Sequence, residues 1–150
     1  MRAFILFSFL FIFSCATNKH IIIDDTPFFT MKRTACYGTC PQYMVSIFND
    51  GRMTYNGNMF VKMIGCFNCT IDYNQIKSIK LLLAEMSFLD LDSVYMSPVT
   101  DIPSVITEFI IDNNTSHRVV DRLSGPNDLK KLYKKIDLII DSINEWDLCE

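Results

Sequence analysis

The sequence has little histidine and little positive charge. Its 150 residues include two histidines, and 14 basic against 17 acidic residues give a net charge of −3. His20 and His117 lie far apart in the chain, and no base stands near a serine or cysteine, so no histidine dyad or activated nucleophile is indicated. Proteins that bind nucleic acid concentrate positive charge, and the acidic balance argues against that class.

Long apolar runs are also missing, and the N-terminal run is too short to span a membrane. As a helix, residues 3–13 would measure about 16 Å, roughly half of the hydrocarbon core. The run follows Arg2 and ends in Ile12-Phe13-Ser14-Cys15, with a small residue directly before the cysteine. This pattern resembles the export signal of bacterial lipoproteins, which implies cleavage before Cys15 and a lipid on its sulfur. The alternatives are an ordinary signal peptide with an incidental cysteine, or a buried N-terminal helix.

A lipid on Cys15 sets the expected organisation of the protein. Residues 1–14 form the signal peptide, 15–27 a tether and 28–147 a single domain, although Ile21-Ile22-Ile23 also fits an edge strand. Acyl chains contribute about 0.8 kcal/mol per buried methylene and hold a protein at a membrane without a transmembrane helix. Ala16-Thr17 directly after the cysteine lacks the aspartate that retains lipoproteins at the inner membrane, and residues 16–19 contain no acidic run. By resemblance to lipoprotein sorting rules, this favours the outer membrane with the domain facing the periplasm. The expected partners are this membrane and an unidentified protein or small molecule.

The hydrophobic pattern predicts an α+β fold, an antiparallel sheet of hairpins with two helices packed on one face. Asp50-Gly51 between β-rich segments indicates a hairpin, and Asn113-Asn114 a second turn. Strands are expected at residues 28–33, 43–48, 52–55, 60–65, 105–111 and 117–121. Helices are expected over residues 72–86, with Thr70 or Asp72 as the cap, and from Pro126 onward.

The middle of the chain resembles a known family of bacterial domains. The most specific motif is Cys36-Tyr37-Gly38-Thr39-Cys40-Pro41-Gln42-Tyr43, and weaker matches follow at Asp50-Gly51, Gly65, Tyr95, Asp101-Ile102-Pro103 and Pro126. The family is domain of unknown function 6438, common in exported proteins of Bacteroidetes-type bacteria. The resemblance covers roughly residues 30–146 and implies an envelope domain, often a lipoprotein, without an established activity or cofactor. The pair Cys66-x-x-Cys69 is not part of this pattern.

The remaining cysteines carry the chemistry that the sequence suggests. Besides Cys15 the chain has Cys36, Cys40, Cys66, Cys69 and Cys149. An oxidising compartment favours disulfides among the first four, with three open pairings: 36–40 with 66–69, 36–66 with 40–69, or 36–69 with 40–66. Local 36–40 pairing is slightly favoured because Gly38 gives the short loop flexibility. Cys149 is expected to be unpaired or to seek a partner.

Two alternative functions use the same thiols. Cys66-Phe67-Asn68-Cys69 precedes a predicted helix, whose terminal amides would lower the pKa of a redox thiol, so one alternative is a thiol–disulfide oxidoreductase. The other is a tetrathiolate metal site, since Cys-x3-Cys and Cys-x2-Cys are separated by 25 residues. Export disfavours free thiols, and no metal or cofactor is predicted. The leading hypothesis is a non-enzymatic, disulfide-stabilised envelope lipoprotein for binding or structural interaction.

Three other groups of side chains have simpler interpretations. An acidic loop is expected to be solvated rather than to bind a cation: Asp90, Asp92 and Asp101. A basic band on the last helix is expected to be a solvated face rather than a lipid contact: Lys130, Lys131, Lys134 and Lys135. Four aromatic residues are expected to pack in the core rather than line a groove: Tyr43, Tyr55, Tyr95 and Phe109.

Overall fold

The fold is α+β and is built on one mixed sheet. The computed structural model describes residues 25–112 and 114–149. The strands are β1 (Phe29–Arg33), β2 (Gln42–Ile47), β3 (Arg52–Met59), β4 (Gly65–Thr70), β5 (Val94–Tyr95), β6 (Val105–Asp112), β7 (Thr115–Asp121) and β8 (Asp147–Leu148). The helices are α1 (Tyr73–Glu85) and α2 (Asn127–Ser142), with a short 3₁₀ helix at Phe88–Asp90.

The strand order of the sheet is β5-β7-β6-β1-β2-β3-β4-β8. The neighbours are antiparallel except for β5 and β7, which are parallel. The predicted α+β class is therefore confirmed, but the purely antiparallel sheet is wrong. No hairpin joins β5 to β7, because β6 lies between them in sequence, so nothing in the local chain forces them to run in opposite directions.

The alternating strand directions place the loops on two opposite edges of the sheet. The upper edge carries residues 34–41, 60–64, 96–104 and 122–126, because β1, β3, β5 and β7 all end there. The lower edge carries the segment that leads into β1, residues 25–28, and the hairpin at 48–51. The N-terminal part of the chain therefore joins the domain at the lower edge.

The core lies between one face of the sheet and the two helices. Alternate residues of the central strands are buried, as expected for a sheet covered on one face, and the helices contribute apolar residues at helical spacing. The largest fully buried side chains are Phe29, Met31, Val45, Ile47, Met53, Ile79, Leu83, Phe88, Val119, Leu129, Leu132 and Ile136. This layer positions the C-terminal half of α2 over β1, β2 and β3.

The start of α1 follows from its sequence. The Asp72 carboxylate accepts bonds from the backbone N–H groups of Asn74 (2.7 Å) and Gln75 (3.0 Å). The Gln75 side chain accepts a bond from the Asp72 N–H at 3.0 Å, which completes a capping box. The predicted helix over residues 72–86, with Asp72 as its cap, is confirmed.

The predicted strand at residues 60–65 is wrong. The chain turns at 60–64, and β4 begins at Gly65 and includes both Cys66 and Cys69. A Cβ atom at Gly57 would lie 1.9 Å from the Met63 carbonyl oxygen, so this connection can fold back over β3 only because residue 57 is glycine. β5 and β8 were not predicted because each strand has only two residues, which is too short to show a periodic pattern of burial.

The signal peptide, Cys15 and residues 16–24 of the tether lie outside the described residues, as does Asn113 of the second turn. Among the residues that are described, no helix combines the length and apolar character needed to cross a membrane.

Candidate functional site

A groove opens between the sheet, the C-terminal half of α2 and the connection from β3 to β4. Its volume is about 740 Å³, within the range of about 300–1,000 Å³ that is usual for ligand pockets. The strands contribute Arg33, Tyr43 and Tyr55. The other lining residues are Pro41, Phe60, Val61, Lys62, Met63, Asp137, Ile140, Asp141, Ile143, Asn144 and Trp146. The lining is mainly apolar, with a few polar groups that converge.

Arg33, Tyr43 and Asp137 form a hydrogen-bonded cluster in this groove. The Arg33 guanidinium donates from Nη2 to Asp137 Oδ2 at 2.6 Å and from Nε to the Tyr43 hydroxyl at 3.0 Å. The Tyr43 hydroxyl in turn donates to Asp137 Oδ1. Among the described residues, none accepts a bond from Arg33 Nη1, and the Arg33 side chain as a whole is 23% exposed.

The local sequence explains why these side chains meet. Arg33 follows Phe29 and Met31 on the same face of β1, so its side chain points toward the helices rather than to solvent. Tyr43 lies opposite Arg33 in the β1–β2 pair. Asp137 follows the buried Ile136 at the border of the apolar face of α2, which brings its carboxylate over the end of the strand.

Arg33 and Tyr43 both keep their protons around neutral pH. Burial raises the pKa of Tyr43 well above its usual value, and the hydrogen bond to Asp137 and the charge of Asp137 raise it further. Burial alone would lower the pKa of Arg33, but its interactions with Tyr43 and Asp137 outweigh burial and raise that pKa. The hydroxyl therefore keeps its proton and the guanidinium its charge. Asp137 compensates the positive charge of Arg33, so the centre of the groove is close to neutral.

A second ion pair lies at the rim of the groove. Lys62 Nζ and Asp141 Oδ1 are 3.1 Å apart, and their side chains are 89% and 60% exposed. An exposed pair of this kind contributes roughly 0–1 kcal/mol and opens readily. Asp141 and Asp137 are one helical turn apart and share one side of α2.

Aromatic rings line the groove beside the charged cluster. The Tyr43 and Tyr55 rings are stacked with centroids 5.3 Å apart, and the Trp146 ring lies 5.6 Å from that of Tyr55. Trp146 is the single tryptophan of the chain. The aromatic set expected in the core is therefore divided. Tyr43 and Tyr55 are buried and line the groove, whereas Phe109 packs against Phe88 far from it.

The family described as Domain of unknown function (DUF6438) matches residues 27–140. The chain belongs to this family. The DUF6438 match includes Arg33, Tyr43 and Asp137, but it ends before Trp146 and Cys149, so the C-terminal wall of the groove lies beyond the matched part. No curated protein matches the sequence.

Four of the described cysteines form two disulfides. Cys36 is bonded to Cys40 and Cys66 to Cys149, with Cα atoms 5.8 Å and 5.4 Å apart. The local 36–40 pairing is one of those that the sequence left open. The expectation of an unpaired Cys149 is wrong, because β8 lies beside β4 and the Cys149 N–H donates to the Cys66 carbonyl at 3.1 Å.

Cys66 and Cys69 do not form a redox pair in this structure. They lie three residues apart in β4 rather than at a helix N-terminus, so their side chains point to opposite faces of the sheet. Cys69 is free, and burial, followed by the negative charge of Asp147, raises its pKa to about 11. A reactive thiol requires the opposite shift.

The tetrathiolate site is not formed either. Three of its four sulfurs are bonded in disulfides, those of Cys36, Cys40 and Cys66. In the described part of the chain, no three side chains of the types His, Cys, Asp and Glu are grouped so that they could hold a metal ion. The acidic loop with Asp90, Asp92 and Asp101 is included in that statement.

The remaining predicted residues have local roles. His117 Nε2 lies 2.9 Å from the Leu91 carbonyl oxygen, and its ring contacts Phe88. In the basic band, Lys131 pairs with Asp128 at 2.7 Å, and Lys130 and Lys134 are exposed. None of these residues lines the groove.

The sequence contained a signal for the site that the predictions missed. Arg33 continues the core-facing alternation of Phe29 and Met31, so it is a charge on the buried face of a strand. A buried charge needs a partner or a function. Asp137 at the border of an apolar helix face is the matching signal. The groove walls that residues 60–63 and Trp146 form had no such signal in the sequence.

Proposed function

We propose that the protein is a non-enzymatic envelope lipoprotein, held at a membrane by a lipid on Cys15, whose domain binds a ligand in the groove. The observation that carries the proposal is the groove itself. An apolar pocket of about 740 Å³ with a convergent Arg33–Tyr43–Asp137 cluster has the composition of a binding site.

The chemistry of the groove supports binding rather than catalysis. A general acid or base works best with a pKa near the operating pH. In the cluster, the pKa of Tyr43 and that of Arg33 are both raised, away from neutrality. The only free cysteine of the described residues, Cys69, has a pKa of about 11, is half-buried and does not line the groove.

The position of the groove supports a tethered module. The chain joins the domain at the lower edge, where Asp25 precedes β1. The groove lies at the upper-edge ends of β1, β2 and β3, and Pro41 and Phe60 of the upper-edge loops line it. A tether from Cys15 would therefore leave the groove open to the periplasm, with the outer membrane as the proposed site of attachment.

The test is a search for ligands of the groove by backbone-amide NMR with a set of small probes. The probes are a neutral aromatic amide, a neutral disaccharide and a medium-chain fatty acid. At least one probe is expected to shift the resonances of residues 33, 43, 61–63 and 140–146, since pockets of this composition bind small amphipathic molecules. The variant Asn144→Phe, which puts a ring into the groove from an exposed lining position, should weaken the effect at least tenfold.

The matched control is Glu145→Phe. Glu145 is the exposed neighbour of Asn144 and does not line the groove, so this variant adds the same ring outside it. The proposal fails if no probe shifts the groove residues, or if both variants bind the probe as the native protein does.

A further inference from the structure

The loops around the mouth of the groove expose apolar side chains. Tyr37 is 93% and Ile64 70% exposed, and Phe60 combines exposure with a position in the groove lining. The same upper edge exposes three more apolar residues: Met96, Val99 and Leu123. Large exposed apolar groups that cluster beside a pocket mark interaction surfaces.

The edge is also poor in charge. Its four loops, residues 34–41, 60–64, 96–104 and 122–126, contain only Lys62, Asp101 and Arg122 as charged residues. Lys62 is already paired with Asp141. The centres of protein interfaces are depleted in charge and enriched in aromatic residues and methionine, as this edge is.

Two of the loops are fixed to one another. The Cys36–Cys40 disulfide closes the tip that carries Tyr37, and the Tyr37 N–H donates to the Asp101 carbonyl at 3.1 Å. At the base of the same loop, the Thr34 N–H donates to the Ser104 carbonyl at 3.0 Å. Holding Tyr37 in place before binding lowers the entropy cost of a contact.

The charges in the groove select the polarity of the ligand. Arg33 is neutralised by Asp137, and Lys62 by Asp141, so an added carboxylate or ammonium would meet a like charge as well as an opposite one. Arg33 Nη1 still offers one donor. An uncharged acceptor, such as an amide carbonyl, matches this arrangement best.

We propose that the groove and the upper edge together bind an uncharged, apolar segment of a partner polypeptide. One apolar side chain occupies the groove, a main-chain carbonyl accepts the bond from Arg33 Nη1, and flanking side chains contact Tyr37 and Phe60. The edge spans five strand spacings from β5 to β3, about 24 Å, which matches roughly seven residues of extended chain. The inference rests on the groove being the binding site proposed above.

The probe is a capped heptapeptide in which serine alternates with leucine and phenylalanine, followed through the emission of Trp146. Saturable binding is expected, at least tenfold tighter than for the matched peptide with glutamate in place of the apolar residues. Phe60→Asn should weaken binding about tenfold. Phe60 has φ 56°, a conformation that asparagine tolerates, so this variant keeps the loop while it removes the ring.

The control is Tyr73→Ser, which removes an exposed aromatic ring at the start of α1, outside the groove, and should bind within twofold of the native protein. Equal binding of the two peptides, or no effect of Phe60→Asn, would overturn the inference. If the fatty acid or the disaccharide binds the groove and the peptide does not, the groove is a binding site but its assignment to a polypeptide is wrong. Self-association that Phe60→Asn abolishes would assign the edge to a second copy of the chain instead.

Discussion

Tyr43 links the other two members of the charged cluster. Its hydroxyl accepts a bond from Arg33 Nε and donates one to Asp137, and its ring stacks on Tyr55. Because each of the three groups satisfies the others, removal of one leaves a partly buried polar atom without its partner. Such a loss costs more than the net value of the hydrogen bond itself.

Tyr43→Phe is therefore expected to lower the free energy of unfolding by about 1–3 kcal/mol. The ring and its contact with Tyr55 remain, so the loss reports the hydroxyl alone. Urea unfolding followed by circular dichroism measures it. The control Tyr73→Phe removes an exposed hydroxyl outside the cluster and should change stability by less than about 0.5 kcal/mol. Equal stability of the native protein and Tyr43→Phe would contradict the importance of the cluster.

The free energy of unfolding of Tyr43→Phe should also depend on pH differently from that of the native protein. Burial and Asp137 raise the pKa of Tyr43 in the folded protein, while an unfolded tyrosine has a pKa of about 10. The folded state therefore holds the proton more tightly, so this contribution is complete below about pH 10 and is lost as the pH rises toward the folded pKa. The free energy of unfolding should thus fall less for Tyr43→Phe than for the native protein between about pH 8 and 11.

At the level of elements, the C-terminal segment depends on one covalent bond. After α2 ends at Ser142, Ile143, Asn144 and Trp146 form a wall of the groove, and β8 adds only two residues to the sheet. So short a strand is marginal by itself. The Cys66–Cys149 disulfide closes a separation of 83 residues in sequence, for which chain entropy gives about 4–5 kcal/mol, against about 2 kcal/mol for the short Cys36–Cys40 loop.

Cys149→Ser is expected to release this segment. The midpoint of urea unfolding should fall, with a loss of up to about 4 kcal/mol, and the emission of Trp146 should shift to the red because its contact with Tyr55 opens. Cys69→Ser, which removes a thiol without a disulfide, is the matched control and should leave the Trp146 emission unchanged. An unaltered emission and midpoint in Cys149→Ser would show that β8 stays in place without its bond.

The elements differ in how far the sequence predicts them. α1 is predictable because its cap, Asp72 with Gln75, and its apolar spacing are local properties. The turn at 60–64 is not, because its apolar residues look like a strand until Gly57 is seen to make room for the Met63 carbonyl. The Cys66–Cys149 bond depends on a two-residue strand that pairs far along the chain, which no local pattern encodes.

At the level of the whole molecule, the sheet separates the point where the chain enters the domain from the groove. The antiparallel order places the start of β1 at the lower edge and the mouth of the groove at the upper edge. The length of the groove-bearing strands, six residues in β2, sets this separation at about 20 Å. The hydrophobic alternation predicted that a sheet would be covered on one face, but the site arises from tertiary contacts of Arg33 with Asp137, which periodicity alone does not pair.

The lipid anchor is a prediction about the N-terminal part of the chain. Three acyl chains on Cys15 would contribute far more than the marginal affinity of one, so the mature protein should sediment with the membrane fraction after export by a bacterium that processes lipoproteins. Intact mass should show cleavage before Cys15 and the added lipid. Cys15→Ala removes the only cysteine of the signal that could take the lipid, so this variant should not sediment with the membrane fraction. Cys69→Ala should remain at the membrane. A native protein that is recovered soluble, with an unmodified Cys15, would exclude the anchor. The proposed binding domain would then have to reach a partner by diffusion instead of from a membrane surface.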